Sequence, residues 1–154
     1  MSAGYLLDTV VLSALAPARR IAADAAKQRA RAWVAASADA IYLPVTAVAE
    51  VTAGIGEREA AGATRHAVEL AAWLSAVLAS YPDRILAFNR PAALHVRELA
   101  REARHRGVAP GFADLTIAAI AREHGLMVVT RNLRHFAPMG VAAFDPFDQG
   151  DPAP

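Results

Sequence analysis

Three polar stretches in this chain stand where an apolar run begins or ends, and one acid stands inside such a run. Asp8 closes the run 4–7, Asp114 heads the apolar stretch after Gly111, and Thr130-Arg131-Asn132 ends the run 126–129. Glu50 sits among Val45, Val48, Ala49, Val51 and Ala53. An Asp between a strand and a helix is also a common N-cap, its side chain accepting a backbone N–H. Asp114 would likewise complement the positive end of a helix. Glu50 is harder to explain locally. A capping box with Thr46 would place its acid at position 49, which is Ala. An unpaired carboxylate is costly to bury among aliphatic side chains, so Glu50 calls for a partner, either a buried Arg or a metal ion.

Other chemistries lack their residues. His66, His95, His105, His124 and His135 form no HxH or HxxxH pair, and the chain has no cysteine, so zinc is not expected. The single lysine, Lys27, lies in no GxxxxGK[ST] loop, and no GxSxG elbow exists. Val10 occupies the place of the second Asp of a haloacid-dehalogenase-like phosphatase, and no lysine follows a late strand as in a response regulator. Arg97, Arg101 and Arg104 share a stripe beside Glu98 and Glu102, a solvated, ion-paired helix face.

The elements that must position these residues alternate in type. Short apolar runs at 4–7, 41–43, 84–88, 126–129 and 141–144 read as strands. Helices are expected at 9–15, 21–36, 46–57 with Thr46 as its cap, 64–78, 91–106, and from Pro110 or Gly111 to Gly125. This order implies βα units and an α/β fold: one α/β/α sandwich around a mostly parallel sheet of four to five short strands. Ligands of such sheets bind beyond the carboxyl ends of the strands, where the strand order reverses. Asp8 and Thr130-Arg131-Asn132 end strands, and Glu50 and Asp114 lie in the early turns of helices.

The 154 residues suit one domain, read as 1–147 with a flexible tail over 148–154. Sixteen basic and 15 acidic residues leave a net charge of +1, which excludes a polyanion-coating basic tail. All the basic residues but Lys27 are Arg, whose planar fork suits phosphate and carboxylate. No apolar run nears the roughly 20 residues of a membrane span, and the opening residues meet Asp8 too early for a secretory leader. A cytoplasmic protein with no membrane partner is expected.

The motifs together resemble a known family. Tyr5-Leu6-Leu7-Asp8-Thr9-Val10-Val11-Leu12-Ser13 looks like the opening of a PIN-domain ribonuclease of the VapC toxin family. Pro44-Val45-Thr46-Ala47-Val48-Ala49-Glu50-Val51, followed by Gly54-Ile55, resembles the second acidic motif of its FitB-like branch. Ala113-Asp114-Leu115-Thr116-Ile117-Ala118-Ala119-Ile120-Ala121 matches the third motif, and 125–136, ending Thr130-Arg131-Asn132-Leu133-Arg134-His135-Phe136, the fourth. Three positions depart from the family pattern. Val10 replaces an Asn, Asn132 stands where many relatives have a fourth Asp, and His135 replaces the acid before Phe.

The resemblance implies a metal-dependent endoribonuclease, the toxin of a toxin–antitoxin pair. Its catalytic residues would be Asp8, Glu50, Asp114 and Asn132. Asp8 and Asp114 would bind Mg²⁺ or Mn²⁺ directly and Glu50 through water, since hard oxygen ligands favour such ions. Thr9 and Thr130 would orient the ligands, and Arg131, Arg134 and His135 would meet RNA phosphates. The implied partners are RNA, a small antitoxin through which alone DNA is met, and a second copy in a homodimer or larger toxin–antitoxin complex. An antitoxin helix is expected to lie on the Ala-rich helices 21–36 and 46–57, with Trp33 or Val34 as anchors. Two alternatives are a catalytically weak PIN-like module that binds RNA or protein, and a metal-dependent phosphatase on an α/β sandwich.

Overall fold

A computed structural model describes residues 4–18 and 24–148. Five strands form the sheet: β1 (Tyr5–Leu7), β2 (Ile41–Pro44), β3 (Ile85–Leu86), β4 (Met127–Val129) and β5 (Ala143–Phe144). All pairings are parallel, in the order β3-β2-β1-β4-β5. The chain therefore builds outward from β1 to one edge, then returns to pair β4 with the other side of β1. Among the described residues, seven α-helices connect the strands: α1 (Thr9–Ala14), α2 (Ala25–Ala36), α3 (Val45–Ala60), α4 (Thr64–Ser80), α5 (Arg90–His105), α6 (Phe112–His124) and α7 (Leu133–Phe136).

Consecutive strand residues point to opposite faces, and both faces are covered. Leu6 and Val128 pack with Leu99, Ile117, Ile120 and Phe136 under α5, α6 and α7. Their neighbours Leu7 and Val129 pack on the other side with Val11, Leu12, Val34 and Ala47 from α1, α2 and α3. This is the expected α/β/α sandwich, with every strand parallel. Buried strands with two covered faces read as unbroken apolar runs, which is why alternation is missing from the sequence.

Some boundaries differ from the sequence reading. Thr46 does not cap α3: the cap position falls on Pro44, whose side chain makes no capping bond, because β2 passes into the helix without a loop. The third strand is Ile85–Leu86 rather than 84–88. It pairs only with Leu43 and Pro44, and β2 then turns into α3, leaving no ladder beyond. Helix α6 ends at Gly125, which adopts a left-handed φ of 64° that suits glycine. The first residues of the expected helix 21–36, and all but Asp148 of the expected tail, lie outside the described residues.

Of the expected anchors, Val34 is buried and Trp33 is partly exposed. The Trp33 ring lies 4.9 Å from that of Tyr5 and 5.1 Å from that of Phe144. Among the described residues, no helix is long and apolar enough to cross a membrane.

Candidate active site

The strand order reverses between β1 and β4, and their carboxyl ends carry Asp8 and Thr130. The Asp8 backbone N–H donates to the Val129 carbonyl at 2.9 Å, extending the ladder one residue past the strand. Its side chain then caps α1, with Oδ1 accepting the Thr9 N–H at 2.7 Å. The Thr130 hydroxyl donates to Oδ2, also at 2.7 Å. The cap reading thus holds for Asp8, with its second oxygen bound by the Thr130 hydroxyl. Asp8 is 5% exposed and Thr130 fully buried, so the carboxylate is held rigidly.

Burial raises the Asp8 pKa above the usual 3.8. The hydrogen bonds from Thr130 and Thr9 oppose that rise, while the negative charges of Asp114 and Glu50 add to it. Those two effects place all three acids within electrostatic reach at one end of the sheet. Glu50 is exposed, not buried among its aliphatic neighbours in sequence. Among the described residues its hydrogen-bond partner is a hydroxyl, not a buried Arg. The Thr9 hydroxyl donates to Glu50 Oε2 in a short hydrogen bond, linking α1 to α3. Helical periodicity explains the difference, because the valines around Glu50 point to other sides of α3.

Asp114 lies in the first turn of α6, its side chain 24% exposed, and its Oδ2 is 3.0 Å from His135 Nδ1. Asn132 joins the network through its backbone N–H, which donates to the Thr130 hydroxyl oxygen at 2.9 Å. Arg131 is exposed, with its guanidinium 5.0 Å from the centre of the Phe147 ring, and Arg134 is exposed as well. The fold thus gathers Asp8, Thr9, Glu50, Asp114, Thr130, Asn132 and His135 into one region. The Thr46 and Thr116 hydroxyls, 2.8 Å apart, join α3 to α6, a pairing that sequence reasoning missed. Nothing in the linear spacing links residues 46 and 116.

The donor set is all carboxylate, and mutual repulsion at Asp8 is a charge imbalance that a hard divalent cation would relieve. In their present rotamers, no three His, Asp or Glu side chains among the described residues are gathered closely enough to hold one. Glu50 is turned to Thr9, and Asp114 to His135. The donor chemistry, three carboxylates at one end of the sheet, fits such a cation.

A family model for the PIN domain matches residues 5–140, nearly the whole chain. The chain belongs to the PIN-domain family. Among curated relatives, the plasmid stability protein StbB of Pseudomonas syringae pv. tomato is 32% identical, over 93% of this chain and 98% of that protein. A VapC ribonuclease of Sinorhizobium fredii is 31% identical, over 93% and 97% of the two chains. Toxin FitB of Neisseria gonorrhoeae is 30% identical, over 92% and 97%. The crystal structure of FitAcB from N. gonorrhoeae superposes with a TM-score of 0.78 at 30% identity, covering 94% of this PIN domain and 99% of that chain. A FitAB structure bound to a DNA fragment superposes with a TM-score of 0.77 at 28% identity, covering 96% and 98%.

Proposed function

We propose that this PIN domain is a metal-dependent endoribonuclease and the toxin of a toxin–antitoxin pair. One observation carries the reading: Asp8, from the end of β1, shares an electrostatic field with acids of α3 and α6 at the point where the strand order reverses. The names of the VapC and FitB relatives support it. Asp8 and Asp114 would hold Mg²⁺ or Mn²⁺, with Glu50 reaching it through water. When bound, such an ion supplies Lewis-acid activation of water and charge neutralisation at a phosphodiester.

The protein's own groups do the rest. Thr130 and the Thr9 N–H fix the plane of the Asp8 carboxylate. Glu50, exposed and free to leave the Thr9 hydroxyl, takes the proton of the attacking water. Asn132 borders the site, and exposed Arg131 and Arg134 stand beyond it to meet RNA phosphates, positioning a strand without reading its bases. The partner is a small antitoxin protein, in keeping with the FitAB complex among the structural neighbours. A homodimer and a cytoplasmic location belong to the same reading.

The test is cleavage of single-stranded RNA with Mn²⁺, with EDTA, and by Asp8→Asn. Cuts made only by the wild type with the ion support the proposal. RNA binding without cleavage would replace it with a binding module. Hydrolysis of a small phosphomonoester alone would point to a phosphatase.

A further inference from the structure

We propose that His135 is the positioning residue of Asp114: its ring holds Oδ2 of that carboxylate and leaves Oδ1 as the oxygen offered to a divalent cation. The inference rests on the metal-dependent reading above. His135 Nδ1 lies 3.0 Å from Asp114 Oδ2. An ionised carboxylate only accepts, so the ring nitrogen facing it carries the proton.

The backbone fixes this contact from two sides. The His135 N–H donates to the Asn132 carbonyl at 2.9 Å, closing the turn of α7. The next residue, Phe136, is fully buried in the same cluster as Ile117 and Ile120 of α6, the helix that carries Asp114. Packing of Phe136 thus seats α7 on α6 and brings the imidazole to the carboxylate. A donor held there fixes the carboxylate plane and adds no negative charge, whereas an acid in its place would repel Asp114. His135 is thereby a group that acts on the ion through Asp114 and not an arm reserved for RNA phosphate.

The experiment titrates the metal-free full chain with MnCl₂ by calorimetry for wild type, His135→Ala, His135→Leu and His135→Gln. Loss of the donor should weaken Mn²⁺ binding about tenfold in the Ala and Leu variants, while Gln, which keeps an N–H donor, stays near wild type. Should His135→Ala fail to fold in EDTA, His135→Leu, which keeps the bulk, carries the comparison. Unchanged Mn²⁺ affinity in the folded donor-free variants overturns the inference, as does an equal loss in His135→Gln. A raised KM for a single-stranded RNA oligonucleotide with unchanged Mn²⁺ affinity also overturns it and assigns His135 to substrate. A wild type that binds no Mn²⁺ would overturn the metal-dependent reading itself, and this inference with it.

Discussion

Asp8 is held between opposing pulls. Burial and two neighbouring acids favour its neutral form, while two hydrogen bonds favour the carboxylate, and the balance leaves its pKa raised above 3.8. The sign for stability follows from linkage. Below 3.8 the group is protonated folded or unfolded and contributes nothing. As pH rises from 3.8 through the raised folded value, the unfolded state loses its proton first, so the metal-free fold is progressively destabilised. Asp8→Asn removes that titration. In EDTA, its Tm relative to wild type should therefore increase from about pH 4 to pH 7, a trend to be followed by thermal melts. A flat difference would mean that the carboxylate is not strained. Asn132→Asp adds negative charge beside Thr130 and should tighten Mn²⁺ binding several-fold, read by calorimetry. Unchanged affinity would place position 132 outside the metal site.

At the scale of elements, the site depends on how α3 and α6 are held together. Thr116 is buried and also donates to the Ala113 carbonyl, so its hydroxyl joins the Thr46 hydroxyl to the turn bearing Asp114. Thr116→Val leaves Thr46 short of its partner and should cost about 1–3 kcal/mol in urea unfolding. Adding Thr46→Val should return part of that loss, because removing both partners is milder than orphaning one. Strict additivity of the two changes would mean that the hydroxyls do not bond. Helix α7 has a different anchor. Phe136 is its buried residue, and Phe136→Ala should cost about 3–5 kcal/mol and free His135 from Asp114.

At the scale of the molecule, topology assembles the acids. Residues 8, 50 and 114 are far apart along the chain, yet Asp8 comes within electrostatic reach of the other two because β1 is central and the helices after β2 and before β4 begin near its carboxyl end. On the metal-dependent proposal, a bound cation offsets the repulsion that Asp114 and Glu50 exert on Asp8. MnCl₂ should therefore raise the Tm of the wild type, by an amount that grows with concentration, and should not raise that of Asp8→Asn. An unguarded ribonuclease should also arrest the growth of its host. Co-expression with the neighbouring small open reading frame should relieve the arrest and give a complex that co-purifies. If neither happens, the antitoxin proposal fails. Of the two anchors read in the sequence, Val34 is buried, which leaves the partly exposed Trp33 as the one a partner can reach.

The linear chain by itself determined the kind of fold and the identity of the acids. Buried parallel strands leave short apolar runs, helix ends leave marks such as Gly125, and Asp8 and Asp114 stand at the junctions between them. Those signals are local, so they survive in one dimension. What only the tertiary structure decided is whom each side chain meets. Glu50 looked buried in sequence because its neighbours are aliphatic, but the turn of the helix carries it outward to Thr9. Thr46 looked like a cap and is instead half of a hydroxyl pair with Thr116. His135 looked like a surface arm and lies against Asp114. Each of these depends on the packing of elements distant in sequence, and pair contacts of that kind leave no periodic trace in the chain.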